Sequence, residues 1–458
     1  MHWTSIPQFV IPFAVVLGIV IFVHELGHFA MAKLRGIRVL AFSLGFGPAL
    51  LRVRRGETEY RLAWFPLGGY VQMAGDSPNE DGSLPTGGPD EYLTHPWYGR
   101  ILVALAGPAA NLVTAYVVLV VMYLVGVGHT DSPNVLGAVA DTSGAYAAGL
   151  REGDRVVEVG GRKIDSWIAI FTAGEHAPKG RDLGVVVERG GARLPLTIAA
   201  GERVRVLTGL RPQPQPAVVG SVMTGMPAYK AGLQEGDRIL AVNGAPVTTW
   251  NDLPAALGSQ TDRPVTLRVE RGGRTFDLTV TPMNSGDGGG GRIGIEAPRR
   301  SVYVERYGVL ESLVYGVPGT WAVVAGVYRG LWLTVSRPLY YGEYVGGPLY
   351  IAQAAAEQAR RGPDAFLLFM AMINAAVMAF NLLPLPILDG GHILLAVLQA
   401  VRGRTLSARG YARFQKVGLV VVGALLLLVL ANDPMRIVRR QMALNKAPQE
   451  RTVAPSPP

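Results

Sequence analysis

Apolar residues dominate four stretches of the chain, at 9–32, 101–127, 365–388 and 417–431, and charged residues crowd between them. The first three are long enough to cross a hydrocarbon core as helices; the fourth is short and needs its flanks to reach across. The third ends in a segment broken by Pro384 and Pro386, neither of which continues a regular helix. Residues 312–328 are apolar too, but they contain Pro318 and several glycines and are bracketed by Glu311 and Arg329. They are read as an amphipathic, surface-lying segment. Residues 1–8 carry no Lys or Arg, and the run after them is too long for an h-region, so it reads as a span rather than a signal peptide.

Between the second and third stretches the pattern changes to short β runs with glycine turns, such as 185–188 and 265–270. This region repeats itself. Ala148-Gly149-Leu150-Arg151-Glu152-Gly153-Asp154-Arg155 recurs as Ala231-Gly232-Leu233-Gln234-Glu235-Gly236-Asp237-Arg238. Trp167 recurs as Trp250, and Glu188-Arg189-Gly190-Gly191 as Glu270-Arg271-Gly272-Gly273. Two copies are two like domains, because a solenoid needs three or more units. The expected fold is a polytopic α-helical membrane protein of about four spans, with two tandem β-rich domains inserted between the second and third. The expected divisions are membrane core 1–127, domains 128–207 and 208–284, a linker and amphipathic external segment 285–363, membrane core 364–432 and a tail 433–458. Residues 284–291 read as a Gly-rich linker, and 446–458 as a disordered Pro-rich end.

Composition agrees with this picture: 49% of the 458 residues are hydrophobic and 17% charged, against roughly 25% charged in soluble domains. The net charge of +9 needs no nucleic acid, for which there is no motif. Lys33, Arg35, Arg38, Arg52, Arg54, Arg55, Arg61 and Arg100 lie between the first two spans, and Arg402, Arg404, Arg409, Arg413 and Lys416 between the last two. With four spans both clusters are cytoplasmic and 128–363 lies outside; the basic tail after 432 resists this topology. The absence of cysteine excludes disulfides, thiol nucleophiles and thiolate-bound metal.

The candidate chemistry sits in the first span. His24-Glu25-Leu26-Gly27-His28 places two imidazoles at i and i+4, on one face of a helix, where both can ligate one metal ion. Glu25 is then set to take a proton from water at the metal. Ionisable groups inside an apolar span cost at least ~2.5–3.5 kcal/mol at the membrane centre, so they usually serve function or pair with one another. A catalytic zinc commonly has three protein ligands. Asp389, in the proline-broken stretch 381–392, is the favoured third, with His392 as its competitor. Such broken backbone is tolerated in a membrane only beside protein or a wet cavity. Asn111 and Gly107-Pro108 put a polar amide and a kink early in the second span. Residues 60–73, with Gly68-Gly69 as a turn, read as an interfacial hairpin whose edge can accept an extended peptide.

Together these motifs resemble the site-2 protease family of intramembrane zinc metalloproteases, in members with tandem PDZ domains. The residues that carry the resemblance are His24-Glu25-Leu26-Gly27-His28, Ala106-Gly107-Pro108-Ala109-Ala110-Asn111, and the 381–390 stretch with Leu388-Asp389-Gly390. The repeated Ala-Gly-Leu-x-Glu-Gly-Asp-Arg element is similar to the helix-to-strand entry of bacterial PDZ domains. The resemblance implies one zinc ion bound by His24, His28 and Asp389, with Glu25 as general base. It implies substrate held by Asn381, Pro384 and Pro386, and by the 60–73 strand around Gly68, Gly69 and Tyr70. The implied partners are the lipid bilayer and a single-span membrane substrate, often an anti-sigma factor already trimmed by another protease. The implied location is the bacterial cytoplasmic membrane, with the PDZ domains outside and the active site near the cytoplasmic side. Leu136-Gly137 and Val219-Gly220 are weak counterparts of the PDZ ligand loops that would bind peptide. A non-catalytic metal scaffold has no use for Glu25, and a metal transporter predicts polar residues in several spans rather than near one end of two.

Overall fold

The computed structural model describes residues 6–76, 88–223, 225–284, 290–298, 301–337, 346–403 and 408–446. The chain divides into two units, 1–127 with 306–434 and 128–305 with 435–458. The expected disordered end beyond residue 446 lies outside the described residues.

The first unit is built on helices α1 (Ile6–Leu34) and α2 (Trp97–Val125). Both run on through internal prolines, Pro12 and Pro108. Val16 and Val20 of α1 pack with Ala115, Leu119 and Met122 of α2, and with Met370 and Ala371 of a later helix. The opposite faces keep Val10, Ile11, Phe22, Val113 and Val117 exposed. Such a contiguous apolar surface suits lipid, not water. The protein is a membrane protein: among the described residues four helices are long and apolar enough to cross a bilayer, at Phe9–Leu34, Trp97–Val125, Val309–Ser336 and Pro363–Asn381.

That set differs from the four expected stretches. The segment read as surface-lying is part of a 28-residue helix, α3 (Val309–Ser336), lying along α2. Its glycines lowered the apparent hydropathy, yet they are what makes the packing possible. A Cβ at Gly316 would come within 2.9 Å of both Tyr116 and Val120, and small residues of this kind let membrane helices approach closely. A second, shorter amphipathic helix is α4 (Pro348–Arg361), which buries Ala354, Ala355 and Ala356 and ends in Arg360 and Arg361. Helix α5 (Pro363–Asn381) stops where the prolines begin, and α6 (Asp389–Arg402) follows. The run 417–431 lies within α7 (Ala408–Lys446).

A hairpin of β1 (Val39–Arg55) and β2 (Thr58–Met73) follows α1. The turn between the strands falls at Gly56, where φ is +62°, and β2 itself reverses direction between residues 62 and 69, ending at the Gly68-Gly69 pair. Residues 41–44 of β1 face 69–72 of β2 on one side and 59–62 on the other. The row 69–73 thus has β1 on one flank only.

The second unit holds two lobes of the same plan. In the first, the strand order is Arg162–Lys163, Arg155–Val159, Leu183–Arg189, Ala192–Ile198; in the second it is Ala245–Pro246, Arg238–Val242, Val265–Arg271, Arg274–Val280. The repeated motifs are each other's contacts. Asp154, fully buried, accepts from Arg189 Nε at 2.6 Å and Nη2 at 2.8 Å, while Nη2 also donates to the Gly149 carbonyl. Asp237, Arg271 and Gly232 make the same set. This explains why Ala-Gly-Leu-x-Glu-Gly-Asp-Arg and Glu-Arg-Gly-Gly recur as a pair: a buried carboxylate is tolerated only with its partner.

Two expectations change here. Residues 290–296 do not leave the second lobe: Ile293 enters its core and Ile295–Glu296 pairs with Ser221–Val222. The expected ligand loops are also engaged by their own chain, Gly137 N–H donating to the Arg211 carbonyl and Gly220 N–H to that of Glu296.

Candidate active site

The apolar helix α1 carries His24, Glu25 and His28 near its basic end, each 8–9% exposed. Helical spacing brings both imidazoles to one face, where Asp389 meets them. His24 Nε2 lies 3.3 Å from Asp389 Oδ2, and His28 Nε2 lies 3.3 Å from Asp389 Oδ1. The two Nε2 atoms are 3.2 Å apart, and the three side chains offer ligand atoms within 4.8 Å of one another. Asp389 Oδ2 is buried and makes no hydrogen bond.

Helix α2 orients the rings. His28 Nδ1 sits 2.8 Å from the Val103 carbonyl. A carbonyl only accepts, so Nδ1 carries a proton, and in the neutral ring the lone pair of Nε2 faces the cluster. Gly107 lies beneath the same ring, where any Cβ would overlap it, and a Cβ at Gly27 would overlap the Ala106 carbonyl. Asn111, fully buried, places its amide nitrogen 3.3 Å from His24 Nδ1. The Ala106-to-Asn111 motif is thus the seat of the histidines, while α2 itself continues through Pro108.

Asp389 is the first residue of α6, a position that favours a carboxylate at the positive end of a helix. The following Gly390 and Gly391 are required because the backbone of 382–385 folds against them; a Cβ at either would overlap a carbonyl of that loop. Just ahead, Ile387 holds φ at +80°. A β-branched residue there is strained by of order 1–3 kcal/mol, the kind of strain found where neighbouring structure fixes a functional group.

These groups open on a cavity of about 670 Å³ lined by His24, Glu25, His28 and Asp389. Of the expected substrate-binding residues, Gly68, Gly69, Tyr70 and Asn381 also line it. Pro384 and Pro386 do not; Pro386 packs against Gly418 of α7, so the prolines shape the loop instead of facing the cavity. Gly69 is pressed against the catalytic helix: a Cβ there would come within 2.9 Å of Glu25 Cγ and Ile21 Cγ2. His392, the rival ligand, lines the same cavity one turn beyond Asp389 but turns its ring edge-on to Tyr92, outside the ligand cluster. Burial raises the Tyr92 phenol above its ordinary range, keeping it a neutral group.

Residues 12–428 match the model of Peptidase family M50. The chain belongs to that family. It is 31% identical over 450 residues to the regulator of sigma-E protease RseP of Escherichia coli, covering 93% of this chain and 98% of that one. It is 32% identical over 448 residues to a putative zinc metalloprotease of Treponema pallidum, covering 92% and 97%. A putative zinc metalloprotease of Neisseria meningitidis is 30% identical over 454 residues, covering 92% and 97%. As an M50 member the protein is a zinc metalloprotease, of the site-2 type.

The residues present fit the family's zinc. Two imidazole Nε2 atoms and a carboxylate oxygen converge at 3.2–3.3 Å, and the Nδ1 of His28 is held by a carbonyl, which leaves its Nε2 as the nitrogen turned toward the cluster. An all-nitrogen-and-oxygen donor set with no cysteine suits a catalytic rather than a structural zinc.

Proposed function

We propose that the protein cuts single-span membrane proteins within or near their transmembrane segment, holding one zinc ion with His24, His28 and Asp389 and using Glu25 as general base. The observation that carries this reading is the meeting of Asp389 with both histidines on the wall of a cavity that Glu25 shares. When bound, zinc supplies a Lewis acid for the scissile carbonyl and acidifies water. Glu25 takes the proton of the attacking water and passes it to the leaving amine nitrogen, a role typically worth 10²–10⁴-fold in rate.

A transmembrane helix hides its peptide bonds in its own hydrogen bonds, so substrate must unwind before it is cut. Residues 69–73, with β1 on one side only, supply an edge on which an extended segment pairs, and Asn381 supplies a polar contact beside it. Gly69 keeps that edge close to Glu25, and Gly68 leaves room for the Phe46 ring.

The two lobes are PDZ-like domains outside the cytoplasm, and they act as a size filter rather than as peptide binders, consistent with the self-occupied loops at Gly137 and Gly220. Asp389 meets His24 and His28 toward the Lys33 end of α1, and the Tyr411 hydroxyl donates to the Asp76 carbonyl just after the hairpin, so the stretch after α6 lies on the hairpin's side of the core. Both basic clusters then lie in the cytoplasm, with the site near that side. The Escherichia coli relative is named for regulating sigma-E, and a trimmed anti-sigma factor is the substrate type we assign here.

The test is cleavage of a truncated single-span substrate in detergent by wild type and Glu25→Gln, each with its zinc content measured. Wild type should cleave, and the variant should keep zinc and lose at least about 10²-fold in rate. Equal cleavage by the zinc-loaded variant would remove Glu25 from the chemistry.

A further inference from the structure

Three positions of α2, each one helical turn after the last, meet the two histidines. The Val103 carbonyl accepts from His28 Nδ1, Gly107 underlies the His28 ring, and Asn111 reaches His24 Nδ1. The first two contacts fix the tautomer and position of His28. The third does the corresponding work for His24, and no zinc ligand or proton-transfer role accounts for it. We propose that Asn111 is a positioning residue: its side-chain oxygen accepts the Nδ1 proton of His24, locking the tautomer in which Nε2 is free to bind zinc. The inference rests on the zinc site proposed above.

His24 Nε2 faces Asp389 and the Nε2 of His28, so its lone pair must point there if it is a ligand. Nδ1 is then the protonated nitrogen and needs an acceptor. Asn111 stands at the right distance, but with its NH₂ group at 3.3 Å and its carbonyl oxygen buried without any partner. Two donors would face each other while an acceptor goes unused. The oxygen and nitrogen of a side-chain amide are nearly the same size and their assignment follows from the hydrogen-bond network. Turning the amide over gives the His24 N–H its acceptor and the orphaned oxygen its donor in one step. Asn111 is fully buried, so water offers no substitute. An oriented acceptor behind a metal-bound imidazole raises its basicity, and losing one typically costs 10–100-fold in metal affinity.

The experiment is a zinc competition titration, with a chelator of known affinity, on the full-length protein in detergent. It compares wild type, His24→Ala, Asn111→Leu and Asn111→Asp, each first shown to elute as a single monodisperse species. Leucine matches the amide in size but accepts nothing; aspartate is an acceptor only. Zinc should bind Asn111→Leu roughly 10–100-fold more weakly than wild type, with Asn111→Asp, which keeps an acceptor, binding more tightly than Asn111→Leu. Wild-type affinity in Asn111→Leu would overturn the inference, as would an equal loss in Asn111→Asp, which is what a role for the amide NH₂ as donor to His24 predicts. If His24→Ala binds zinc as wild type does, the zinc-site assignment itself fails, a result separate from either.

Discussion

At the scale of single residues, the cluster proposed as the zinc site was legible from spacing and setting. His24 and His28 stand four apart with Glu25 between them, in a span otherwise nearly free of charge, and Asp389 is an ionisable residue in a broken apolar stretch. What spacing could not reveal is the support for these groups, because it comes from a helix about eighty residues away in sequence, beyond any local periodicity. Gly107 reads as a kink beside Pro108, yet α2 is continuous there and the glycine is the floor beneath His28. Gly107→Ala should therefore push the His28 ring aside and weaken zinc binding by at least about 10-fold, as loss of ligand orientation typically does. Chelator competition on the purified variant checks this; unchanged affinity would show that the ring has room to shift.

At the scale of elements, two glycine signals proved to carry more than local punctuation. A Gly-Gly pair is a strong turn signal; β2 does reverse between residues 62 and 69, and Gly69 is also where close approach to Glu25 and Ile21 leaves no room for a side chain. The glycines of 312–328 read only as breaks, although Gly316 is where α3 seats against α2. In both places glycine serves packing between elements, which a one-dimensional reading takes for local punctuation. The break before Asp389 was legible, since proline ends a helix wherever it stands; that Pro384 and Pro386 face away from the cavity was not, because it depends on where α7 packs. The hairpin's contact with α1 makes a separate prediction. Gly69→Ala should displace Glu25 and lower the cleavage rate by up to about 10²-fold, the usual cost of a misplacement near 1 Å, while zinc content stays at the wild-type level. Loss of zinc from this variant would mean that the hairpin holds the ligands rather than the base.

At the scale of the whole molecule, the sequence separated a membrane core from a repeated β-rich region, because charge and hydropathy change sharply at their borders. The repeat was visible as paired motifs, and the Asp154–Arg189 and Asp237–Arg271 ion pairs supply its physical basis. The end of the second copy was misjudged, since Ile293 follows a glycine run that looks like a linker but returns to the core. If the lobes filter substrates by size, deleting residues 138–282 should release cleavage of untrimmed single-span substrate by the membrane core. Continued refusal of that substrate, with trimmed substrate still cut, would remove the filter role.

The central claim is that residues from opposite ends of the chain make one zinc site. It is tested most directly by zinc analysis of purified full-length protein, wild type beside Asp389→Ala. Wild type should carry one zinc per chain, and the variant should lose it under a chelator concentration that leaves wild type loaded. A variant that holds zinc as tightly as wild type would place the third ligand elsewhere and contradict the account.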